Sequence, residues 1–242
     1  MAVRNYYLTS ALPSMGELGA APPWTTDALL ELVREAGGPV EVVAALLLGD
    51  DLLQRDALLA GEIEETRTAV LTREQAADEA PLPSYLVGGG GEDDDEDEDE
   101  ETETVRHAGD AVWLAWFRHA AAVGRRHGSR FLQAWVAHEV ALRNALATAR
   151  AKALGLDPAD YVVANDLAAT DVDFAELISD WAAAPDPLAG QRVLDQARWN
   201  WLKGHEAWFS FGADEAAVYA AKLMLIDRWH RVGAAGADRR AG

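Results

Sequence analysis

The chain has 242 residues, no cysteine and a formal net charge of −20 at pH 7. Lacking cysteine, it has no disulfides, no cysteine-ligated zinc, no iron–sulfur cluster and no thiol chemistry. Eleven acidic residues and no basic one fall in Glu92–Glu103, leaving −20 + 11 = −9 elsewhere, and nothing supplies the clustered Lys and Arg that general nucleic-acid binding needs.

Half of the residues are apolar, and the abundance of Ala, Leu, Glu and Arg leans to helix. The opening MAVRNYYLTSALPSMG has no apolar core of signal-peptide length, and no run approaches 18 consecutive apolar residues. These features read as a cytoplasmic chain with no membrane span.

Tyr6–Leu12, β-prone and ended by Pro13, predicts an extended segment or a lone strand. Thr26-Asp27 caps a helix over Ala28–Ala36 that Gly37-Gly38-Pro39 ends. Val40–Leu48 is the most apolar stretch and predicts a buried helix. A separate short helix follows with Leu52, Leu53, Leu58 and Leu59 as its core face, and a further one covers Thr72–Ala80. Residues 1–87 thus read as a small helical subdomain.

Four glycines at 88–91 and the acidic run then form a disordered linker over 88–107, because like charges at this density cannot offset the entropy of ordering. It is either a solvated insertion or an acidic arm that engages a basic partner surface. A second helical domain spans 108–232. Ala111–Val123 places Val112, Trp113, Trp116, Phe117 and Ala120 on one face, and Gly128 turns the chain into a hairpin with the next helix.

That next helix, Phe131–Leu156, is the longest uninterrupted pattern and the spine of the chain, with Ser129 as its cap. Asp157-Pro158 opens a short turn near Tyr161. Asp171–Ala183 turns Phe174, Leu177, Ile178 and Trp181 inward. Asp186-Pro187 starts a helix that runs through Leu194 and Trp201 to Gly204. The last helix carries Val218, Ala221, Leu225, Ile226 and Trp229, and 233–242 reads as a frayed tail. The fold class is all-α: an irregular helical bundle with a long central helix, a short extended N-terminal segment and a disordered acidic insertion.

Tests for chemistry return little. His138-Glu139 meets Leu142, and His205-Glu206 meets Phe209, where a zinc-binding helix needs its second histidine. There is no G-x-S-x-G, no P-loop ending and no dinucleotide-binding glycine turn. Glu139 and Arg143, at i and i+4, read as a structural ion pair, or as part of an enzyme site with a histidine. Arg198–Phe211 holds Arg198, Trp199, Trp201, Trp208, Phe209 and Phe211, which cannot all lie on one helical face; they form a candidate protein interface or close the end of the core. The reading is of a protein with no catalytic residues, no metal and no cofactor.

NYYLTSALPS, EVALRNALATARAKALGLDPADY, DPLAGQRVLDQARWNWL and AAVYAAKLMLIDRW resemble an uncharacterised bacterial family encoded with V-type ATPase operons. The pattern is more distantly similar to the all-helical C (d) subunit that caps the central rotor shaft of V-type ATPases. The resemblance implies a non-catalytic coupling or assembly subunit whose partners are V-type ATPase subunits, peripheral at the inner face of the plasma membrane. It carries over no catalytic residue.

Overall fold

Ser129 accepts a hydrogen bond from the amide of Leu132 at 3.1 Å and so starts the helix on which the others pack. The computed structural model describes residues 2–87, 108–206 and 212–241. Among these there are ten α-helices and no strand: α1 (Ala2–Ala11), α2 (Thr26–Glu35), α3 (Val40–Leu59), α4 (Arg73–Ala76), α5 (Ser84–Val87), α6 (Ala108–Arg126), α7 (Arg130–Ala153), α8 (Ala175–Ala182), α9 (Pro187–Gly204) and α10 (Ala213–Ala241). The expected linker 88–107 lies outside the described residues.

One buried cluster runs from Leu8 to Ile226 and draws on both 1–87 and 108–232. The two expected subdomains therefore share a core, with α3 lying between α6 and α10. The spine is α7. Its helix ends at Ala153, Leu154 caps it, and Gly155 at φ +70° takes the left-handed turn that sends the chain away. Asp186 caps α9 through Ala189, with Pro187 at the first helical position as its sequence predicts.

Four expectations are corrected. Residues 2–11 are helical, not extended. A lone strand would leave its backbone groups unpaired, whereas a helix pairs them internally and still delivers Leu8 to the core. Val40–Leu59 is one helix rather than two, and within it Leu53 and Leu59 are exposed instead of core-facing. The helix expected over Thr72–Ala80 shrinks to Arg73–Ala76, closed by a capping box between Thr72 and Gln75. The last helix does not stop at Gly233 but continues to Ala241.

Gly49, at the junction of the two expected helices, lies inside α3 and has a packing role. The indole of Trp116 donates to the carbonyl of Ala45 at 2.9 Å and lies across the helix where Gly49 has no side chain. A Cβ there would stand 2.5 Å from the ring. Gly49→Ala should therefore cost about 1–3 kcal/mol through overpacking, despite alanine's better helix propensity. Gly233→Ala, where nothing lies within 4 Å, should be neutral or stabilising. Urea midpoints of the two variants check the contrast.

Candidate functional site

A cleft of about 510 Å³ opens between α3, α6 and α7, with Arg198 of α9 and Met224 and Arg228 of α10 also lining it. Its aromatic lining comes from α6 (Trp113, Trp116, Phe117) and from Trp135 of α7. One wall is a ladder of alternating charges.

Glu139 of α7 takes Arg198 of α9 in a two-pronged pair, with Nε–Oε1 at 2.9 Å and Nη2–Oε2 at 2.9 Å. The other arm of Arg198, Nη1, donates to Asp195 at 2.9 Å. Asp195 is fully buried and also accepts from Arg228 at 3.2 Å and from the Trp229 indole at 3.1 Å. Arg228 donates to Asp50 of α3 at 2.9 Å, and Asp50 accepts in turn from Gln54 and Arg231. Four helices are thus joined through one set of buried ions.

The electrostatics follow from that pairing. Burial pushes the Glu139 carboxyl upward, but Arg198, with the His138 ring nitrogen 3.4 Å away, outweighs burial and holds it at about 2. Asp195 is likewise held below the ordinary carboxylate range: burial opposes, and Arg228 and Arg198 prevail. Near neutral pH Glu139 is an ionised, fully engaged partner and cannot pick up a proton as a general base would.

Asp51, next along α3, serves a different task. Its carboxylate accepts the amides of Ala69, Val70 and Leu71 at 2.9, 2.7 and 2.8 Å, and so fixes the loop ahead of α4. Burial pushes this carboxyl up to about 7, against the pull of those three amides. Asn144 does similar work from α7, donating to the carbonyl of Val163 at 2.9 Å and accepting its amide at 3.0 Å.

The expected Glu139–Arg143 pair is replaced. Glu139 binds Arg198, and Arg143 binds Asp110 at the start of α6. A pair along one helix is worth only a few tenths of a kcal/mol, so a buried two-pronged arginine from another helix decides the partner. Of the expected interface residues, Arg198 is taken up in the ladder and Trp199 is 1% exposed. Trp199 donates to Glu17 at 3.0 Å, with the Lys222 ammonium 4.7 Å over its ring. Trp201 is half-buried and stacks on His205 with ring centroids 3.6 Å apart. Trp208, Phe209 and Phe211 lie outside the described residues.

Sequence reasoning missed Asp50, Asp195 and Arg228. A signal was present for Asp50 and Arg228, which carry charge beside apolar runs in LLLGDDLL and MLIDRW; Asp195, between Arg192 and Gln196, gave none. His138 is buried against Trp135 and Trp201, and no group of three or more His, Asp or Glu that could hold a metal occurs among the described residues.

No curated protein and no solved structure matches the chain. Residues 55–238, from within α3 to within α10, match one protein family, described as "Protein of unknown function (DUF2764)", and the chain belongs to that family.

Proposed function

We propose that the protein is a non-catalytic helical subunit or assembly partner of a bacterial V-type ATPase, acting in the cytoplasm at the inner face of the plasma membrane. One observation carries the reading: the stretches that resemble the ATPase-associated family supply most of the ladder and part of the shared core. NYYLTSALPS lies largely in α1, and the other three fall mainly within α7, α9 and α10. Together they supply Glu139, Asp195, Arg198 and Arg228. The resemblance therefore lies in residues that hold the helices together. The locked charges of the cleft agree with a scaffold, since neither Glu139 nor Asp195 is left to transfer a proton. No described helix is long and apolar enough to cross a membrane, so attachment to a membrane complex would run through partner subunits.

A pull-down of the tagged full chain from native membranes, with the operon partners expressed, should recover ATPase subunits. Recovery of none overturns the proposal. A second reading rests on the eleven acidic residues of Glu92–Glu103, an arm for a basic partner. Deleting that segment separates the two: binding that survives belongs to the helical body, and binding that disappears belongs to the arm.

A further inference from the structure

The outer half of the cleft differs from its charged wall. Leu53, Leu154 and Leu156 line it and are 44%, 73% and 43% exposed. On α7 the lining residues Arg143, Leu146 and Arg150 recur at steps of three and four, and the cap Leu154 continues the row; across from them Leu53 is the exposed lining residue of α3, with Leu46 and Asp50 buried beneath it. Rows with this spacing are the ridges against which another helix packs.

Charge narrows the occupant. Asp50, Asp56, Asp110, Glu139, Arg143, Arg198 and Arg228 are all engaged within the protein. Arg150 is exposed, its guanidinium 5.1 Å over the Trp181 ring, and no described carboxylate is paired with it. The open half of the cleft therefore offers apolar surface and one positive charge.

We infer that this cleft receives an amphipathic helix of a partner subunit, with an apolar ridge at i, i+3 or i+4, and i+7 and a carboxylate that reaches Arg150. Three turns are enough, since Arg143 to Leu154 spans about 16 Å of α7. A small ligand held in the concavity would leave the exposed leucines of the rim uncovered, whereas a helix crosses them. A second copy of this chain is disfavoured because each copy carries a net charge of −20. The inference rests on the ATPase reading and adds to it the place of contact.

The test uses the full chain expressed with the ATPase subunits, with the photo-reactive p-benzoylphenylalanine replacing Leu154 or, separately, Leu53. After irradiation, the cross-linked peptides are read by mass spectrometry. The expected result is a cross-link from both positions to one helical segment of an ATPase subunit, with Asp or Glu within a turn of the site. Arg150→Glu should lower cross-link yield and pull-down recovery about tenfold, as loss of one charge-assisted contact implies. Thermal midpoints should fall by no more than a few degrees, because Leu154 is exposed and Arg150 gives up only its contact with the Trp181 ring and its place at the end of α7. ATPase subunits recovered without a cross-link from either position would overturn the inference and leave the ATPase reading standing. Cross-links to a second copy, or to residues 92–103 of the same chain, would overturn it equally. Recovery of no ATPase subunit would remove the ATPase reading and this inference with it.

Discussion

Arg198→Ala is expected to lower stability by about 3–5 kcal/mol, because it leaves two buried carboxylates without their counter-ion. Glu139 loses its two-pronged partner, and Asp195 keeps only Arg228 and the Trp229 indole among its charged and aromatic donors. For a chain of this length that loss corresponds to a fall in Tm of roughly 6–20 °C. Lysine at 198 should not rescue it, since a single ammonium cannot span Glu139 and Asp195 at once. Pairing Arg198→Ala with Glu139→Gln should cost less than the two single changes added together, because the double variant no longer buries an unpaired Glu139 charge. Chemical denaturation of the four proteins measures this. Strict additivity would show that Glu139 and Arg198 do not act as a unit.

Below pH 4.5, acid should weaken the protein through the same ladder. Glu139 titrates near 4.5 when unfolded and at about 2 when folded. The folded pKa is the lower one, so its contribution is present above 4.5 and lost as the pH falls from there towards 2. The size is on the order of 3 kcal/mol. Asp195, also lowered from 3.8, adds a loss of the same sign. Asp51 has the opposite sign. Its pKa rises from 3.8 to about 7, so its contribution is largest below 3.8 and fades as the pH climbs to 7. Urea midpoints should thus rise as the pH falls from 7 towards 4.5, because the Asp51 shift is the larger of the two, and turn downward below 4.5 as Glu139 and Asp195 titrate. Glu139→Gln starts from a lower midpoint and should show a shallower acid limb. An acid limb of unchanged steepness in that variant would place the loss elsewhere.

Much of the architecture was legible in the sequence because local chemistry decided it. Ser129, Asp186-Pro187, Gly128 and Gly155 mark helix ends through caps, a fixed φ and left-handed turns. The apolar stripes of α6, α9 and α10 follow helical spacing, and their predicted Trp116, Phe117, Leu194, Val218 and Leu225 are buried. What could not be read depended on residues distant in the chain. Gly49 looks like a break until Trp116, 67 positions later, is seen to occupy the space above it. Glu139 finds Arg198 59 positions away in preference to Arg143 four away, and no local rule ranks those two. The β-prone start of the chain became helical because no described strand is there to pair with it.

The ties between the two ends of the chain bear on its synthesis. Glu17 takes the Trp199 indole and the Lys203 ammonium, and the Tyr219 hydroxyl donates to the carbonyl of Pro13 at 3.0 Å. None of these bonds can form until Trp199, Lys203 and Tyr219 have left the ribosome. At 5–20 residues per second, the 206 positions between Pro13 and Tyr219 take roughly 10–40 s to translate. During that interval Leu8 has no α10 to lie against, and Pro13 and Glu17 lack these partners. The segment around Pro13 and Glu17, made ahead of α9 and α10, is seated only after them.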